Sequence, residues 1–164
     1  MNDNKITRGS TLFLRLAIVG IGLVVLGICG LLLTGFSSVD KEYPEYWGWV
    51  AVVLSVVIVS AVPFYYGLFK AWSVLRLIDD GKALSFTVVR KLRIIYRCAG
   101  LIGALYLVSL PAFYIWADLD DAPGLVIVGM VFTMVPIIVS VAISVLQRLL
   151  NEAIKLKNEN DLTV

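Results

Sequence analysis

Four long apolar runs, at 11–35, 47–75, 94–117 and 123–146, alternate with short polar stretches along the chain. Each matches or exceeds the ~20 residues an α-helix needs to cross a ~30 Å hydrocarbon core. The connections at 36–46 and 118–122 are short, and short connections make successive helices antiparallel neighbours. The pattern predicts a single all-α transmembrane domain over 1–164, an up-down four-helix bundle with a C-terminal cytoplasmic helix and tail at 147–164. Aromatic residues mark the boundaries, since Trp and Tyr favour the membrane–water interface. Tyr43, Tyr46, Trp47, Trp49, Tyr114 and Trp116 fall at one end, Trp72 and Tyr96 at the other.

The second, third and fourth helices extend beyond what a bilayer requires. The second is expected to run to Asp79 and stop at Asp80-Gly81-Lys82, because glycine tolerates the left-handed residue that ends many helices. Ser85 reads as the N-cap of the third, which opens with Phe86, Val89 and Leu92 on one stripe and Arg90, Lys91 and Arg93 elsewhere. The fourth carries an apolar stripe through Leu149, Leu150, Ala153 and Ile154, until Lys157-Asn-Glu-Asn.

Composition agrees with a membrane protein: 60% of residues are hydrophobic and 16% charged, against roughly 25% charged in soluble domains. The net charge of +2 becomes informative only when divided along the chain. All of the 14 Lys and Arg except Lys41 fall at the N-terminus, in the middle connection and its flanks, or in the C-terminal tail. By the positive-inside rule both termini and the 76–93 connection are cytoplasmic. The first span is read as a retained helix, because its apolar core is too long for the h-region of a signal peptide.

Chemistry is sparse. With no His, and with Cys29 and Cys98 at opposite ends of their spans, more than about 10 Å apart in depth at the helical rise, neither a disulfide nor a zinc site is expected. Asp118, Asp120 and Asp121 are weak candidates for a divalent cation and lack the spacing of a calcium loop. Asp40, Glu42 and Glu45 add to the same acidic end. No acidic or basic residue falls near the bilayer centre, which argues against proton or voltage coupling. No catalytic constellation is present, so the chain reads as a non-enzyme without a cofactor and without direct nucleic-acid contact. Pro63, Pro111 and Pro136 lie within spans, near Ser60, Ser109, Thr133 and Ser140, and with Tyr65, Tyr66 and Tyr106 suggest a polar interior. Gly100/Ala104 and Ser140/Ser144 are candidate close-packing pairs.

Several stretches resemble one family. The opening Arg8-Gly-Ser-Thr-Leu-Phe-Leu, the turn Ile78-Asp-Asp-Gly-Lys-Ala-Leu-Ser, the element Asp120-Asp-Ala-Pro-Gly-Leu and the ending Glu159-Asn-Asp-Leu-Thr-Val resemble small bacterial membrane proteins of the domain-of-unknown-function family numbered 2975. The resemblance covers essentially the whole chain. It implies four transmembrane helices in the bacterial cytoplasmic membrane and, since family genes often neighbour that of a small helix-turn-helix regulator, a role in sequestering or signalling to such a protein.

Two readings follow. In the first, a regulatory or stress-related membrane protein docks a cytoplasmic partner through Lys82, Arg90, Lys91, Arg93, Lys155, Lys157 and the apolar tail residues Leu162 and Val164. In the second, a small transport or immunity-type protein, open to oligomerisation, handles a cationic compound or peptide at its acidic outer mouth.

The topology is testable. In a background lacking Cys29 and Cys98, cysteines placed singly at Ser38 or Asp120 are expected to react with an impermeant thiol reagent in intact cells. Cysteines at Lys82 or Asn158 are expected to react only after the membrane is opened, and labelling of position 82 in sealed cells would reverse the orientation.

Overall fold

The computed structural model describes the backbone of residues 3–42 and 47–161 and the side chains of 12–34 and 47–159. It contains four helices: α1 (Asp3–Glu42), α2 (Trp47–Asp79), α3 (Phe86–Leu119) and α4 (Gly124–Asp161). All four contain stretches long and apolar enough to span a bilayer. At 40 residues α1 is the longest, whereas the sequence pattern ended it near Gly35. Nothing between Phe36 and Glu42 breaks a helix. The first breaker is Pro44, and the residue before a proline is biased out of the helical region. The expectations for Tyr43, Glu45, Tyr46, Leu162 and Val164 lie outside the described residues.

Two helix ends share one device. After α2, the Gly81 N–H donates to the Ile78 carbonyl and the Lys82 N–H to Leu77, with Gly81 at φ +70°. This is the Schellman arrangement, in which a left-handed residue lets the chain cap its own last carbonyls. After α3, the Ala122 N–H donates to Ala117, but the left-handed position at φ +47° is held by Asp121. Asp tolerates this region better than most side chains because it is short and polar. Pro123 follows and precedes α4 directly, where its missing N–H costs nothing.

The helices pack antiparallel, each on its neighbour in sequence. Along α2 and α3, Val53 meets Phe113 in one cluster and Val74 meets Val88 and Leu92 in another, one helix ascending as the other descends. Along α3 and α4, Phe113 faces Gly129 and Gly103 faces Ile137. Among the described residues α1 contacts only α2, and α4 makes no backbone approach to α1 or α2. The expected bundle therefore does not close. The four helices form an open row, α1–α2–α3–α4. The reason is visible on α1, where Gly22 is the one buried position between 12 and 34, so this helix has a single line of close approach.

Small residues set the spacing, and only some of them are those the sequence suggested. A Cβ on Gly103 would lie 2.7 Å from Ile137, and one on Gly129 would lie 2.9 Å from Phe113. Gly100 stands opposite Ser140 at ordinary contact distance, while Ala104 is exposed. Replacing Gly103 or Gly129 with Leu is expected to force α3 and α4 apart at a cost of about 1–3 kcal/mol, lowering the unfolding midpoint in detergent. Gly27, which has nothing within 4 Å, should accept Leu without loss.

Candidate functional site

At the basic end, α2, α3 and α4 enclose a hydrophobic core of their own. Val74, Val88 and Leu92 are buried, with Leu77, Ile95, Ile143 and Leu150 packed against them, and Ile154, further along α4, is buried as well. Ser85 takes the N-cap position in extended geometry (φ −136°, ψ 147°), yet its hydroxyl makes no capping bond. Its carbonyl instead accepts the Val88 and Val89 N–H groups. The first turn of α3 is rotated from the expected stripe: Val88 and Val89 turn inward, while Phe86 is 63% exposed. A β-branched pair supplies compact apolar surface at a crowded helix start, leaving the larger ring outside.

The predicted docking residues differ in exposure. Lys82, Arg90, Arg93, Lys155 and Lys157 are exposed. Lys91 is half-buried, and its ammonium donates to the Ser73 hydroxyl on α2. Lys91 is thus a strut between α2 and α3 rather than part of the open cationic surface.

A feature the sequence did not flag joins α1 to this end. Arg15 donates from Nη2 to the Asp79 carboxylate at 2.6 Å and lies 5.4 Å over the centre of the Trp72 ring. An arginine on the first span and an aspartate at the end of the second pair only once the helices are aligned, a relation no local spacing encodes. Leu12, Arg15, Leu16, Val19 and Trp72 line a shallow groove of about 310 Å³ at this seam. On the opposite side of α2, Lys70 sits 4.9 Å over the Tyr66 ring, so Tyr66 faces outward and does not join the expected polar interior.

Within the row each seam carries at least one hydroxyl-mediated bond. Tyr65 on α2 donates to the Gly22 carbonyl on α1 at 2.7 Å, and Ser140 on α4 donates to the Tyr96 carbonyl on α3 at 3.3 Å. Between α2 and α3, Ser60 and Tyr106 meet at 3.2 Å. Ser60 already gives its proton to Val57, so Tyr106 is the donor. Ser109 and Thr133 bond carbonyls of their own preceding turns, those of Tyr106 and Gly129. The hydroxyls therefore do not serve the carbonyls freed by Pro63, Pro111 and Pro136; Tyr65, Ser60, Tyr106 and Ser140 join helices, while Ser109 and Thr133 bond within their own.

At the acidic end, Asp118, Asp120 and Asp121 are exposed around the α3–α4 turn. Among the described residues no three His, Cys, Asp or Glu side chains converge on a point that would hold a metal. Cys29 and Cys98 are both free thiols.

A family model described as "Protein of unknown function (DUF2975)" matches residues 34–164. Over 158 residues the chain is 40% identical to a Bacillus subtilis (strain 168) protein called "Uncharacterized membrane protein YoaS", spanning 96% of this chain and 99% of that relative. No solved structure matches.

The Arg15–Asp79 pair tests how α1 is held. Arg15→Ala or Asp79→Ala is expected to cost about 1 kcal/mol, the upper range for a partly exposed pair, and to speed amide exchange in α1 between 12 and 34. Exchange along the α3–α4 seam should not change, because no contact there is touched.

Proposed function

The chain belongs to the DUF2975 family, and from that premise we propose that it is a non-enzymatic, multi-pass protein of the bacterial cytoplasmic membrane that docks a soluble partner at its basic end. The observation that supports this reading is the separate core formed by Val74, Val88, Leu92 and their neighbours. Snorkelling lysines and arginines need only a helix end to reach lipid headgroups. A packed three-helix projection with Ile154 buried in it and cations on its outer surface is what presents those charges in a fixed arrangement to a protein. Both termini lie on the cytoplasmic side in this reading, following the distribution of Lys and Arg.

The partner is a protein with an acidic docking face, and the resemblance noted above suggests a small helix-turn-helix regulator, which would make the role regulatory or stress-related. Transport or immunity toward a cationic compound draws less support. A conduit needs helices arranged around a central space, and among the described residues α1 and α4 do not meet.

The experiment is affinity recovery from native membranes. The variant Lys82→Glu/Arg90→Glu/Arg93→Glu is expected to insert normally and to lower recovery of the co-purifying soluble protein about tenfold or more, equivalent to ~1.4 kcal/mol. Undiminished recovery would remove the basic end from the interaction. Deleting 162–164 in parallel tests whether Leu162 and Val164 contribute, with loss of the partner expected if they do.

A further inference from the structure

The free face of α4 beyond the bilayer bears a seam that no other described helix of its own chain covers. At about 1.5 Å per residue the 38 residues of α4 span about 57 Å, and some 20 of them, counted from Gly124, cross the hydrocarbon by about Ile143. Past that point the helix shows two apolar stripes. Ile143, Leu150 and Ile154 turn toward α3 and the core at the basic end. Leu146, Leu149, Ala153 and Leu156 form the second, with the 3–4–3 spacing of alternating a and d positions in a heptad repeat. The three leucines are 51%, 58% and 67% exposed. Leu149 and Leu156 follow the polar Gln147 and Arg148, so they project where lipid chains no longer reach. In the open row α4 is the terminal helix, and among the described residues no other helix of this chain lies beyond it.

The flanking charges identify the occupant. With Leu146 and Ala153 at a, and Leu149 and Leu156 at d, Glu152 occupies g and Lys157 occupies e, and both are exposed. In a parallel two-stranded coiled coil each g residue faces the e residue five positions further along the partner helix. Glu152 of one copy therefore meets Lys157 of the other, and the twofold axis makes the pair twice. Two copies in one membrane share their orientation, so a twofold axis along the membrane normal requires the parallel arrangement. Arg148 and Lys155 fall at c, away from the seam, so the cationic surface does not oppose association. The small Ala142 and Ala153 allow close approach, and Val139 and Ala142, both exposed, continue the same a and d positions into the bilayer.

We propose that this stripe is a parallel, twofold dimer interface between two copies of the chain. The inference does not rest on the docking reading: it shares Lys157 with the predicted docking residues but uses the flank of α4 and not the surface formed by Lys82, Arg90 and Arg93.

Disulfide trapping in native membranes tests it, in a Cys29→Ala/Cys98→Ala background. Ala153→Cys and Leu149→Cys are expected to give a covalent dimer of twice the chain mass several-fold faster than Asn151→Cys, which lies at f on the far side. Added to Ala153→Cys, either Glu152→Lys or Lys157→Glu should slow trapping several-fold, and the two together should restore it, which a loss of folding would not do. Equal trapping at 151 and 153 would overturn the interface. So would an adduct whose mass is that of a different protein, or double charge reversal that fails to restore the rate.

Discussion

Lipid tails are as apolar as leucine, so burying leucine against another helix gains little over leaving it in the membrane. The whole row depends on how it answers that constraint. Hydroxyls reach across every seam, and glycines at the α1–α2 and α3–α4 seams let backbones close in. Gly22 sits against Leu68 and beneath Tyr65; Gly103 and Gly129 bring α3 and α4 together. Between α2 and α3 the Ser60–Tyr106 bond lies close to the cluster of Val53, Ala112 and Phe113. Dispersion then accumulates along interfaces that these few contacts have brought into register.

In the proposed reading the basic end projects beyond the hydrocarbon, and there the balance changes. In water a buried Val74, Val88 or Leu92 is stabilised by the ordinary hydrophobic effect, which suits the aliphatic core found at that end with charges on its exterior. Lys91 lies at the border between the two regimes. It is half-buried and its ammonium reaches Ser73 across the α2–α3 seam. Arg15 does the same for α1, laying its guanidinium over Trp72 and against Asp79.

Much of this was legible beforehand. Four spans, the Gly81 stop, the Ser85 boundary and the separation of the two thiols all follow from hydropathy, turn chemistry and helical rise, which are properties of neighbouring residues. The remainder depends on relations between distant ones. Arg15 and Asp79 are 64 positions apart, and nothing in either neighbourhood names the other. Phe86 and Val88 differ by a rotation that only the packing of three helices decides. The glycines that mattered, Gly22, Gly103 and Gly129, looked no different in sequence from Gly27, which faces open space. Short connections implied neighbouring helices correctly, but adjacency along the chain does not require the last helix to return to the first. The end of α1 moved because no breaker precedes Pro44, whereas a hydropathy boundary registers only where apolar residues give way to polar ones.

The absence of a closing contact between α1 and α4 also bears on how the chain assembles during synthesis. Every described helix-to-helix backbone approach joins consecutive helices, so the topology has few contacts between distant parts of the chain, the condition under which domains form quickly. Each new helix finds its docking surface already present on the one before it. α2 settles on α1, α3 on α2 and α4 on α3, with no partly built species waiting for a late C-terminal element to seal it. In a membrane, where an unpaired hydroxyl or an open backbone groove has no water to occupy it, such vectorial growth leaves Tyr65, Tyr106 and Ser140 each a partner on the preceding helix as its own helix enters the bilayer.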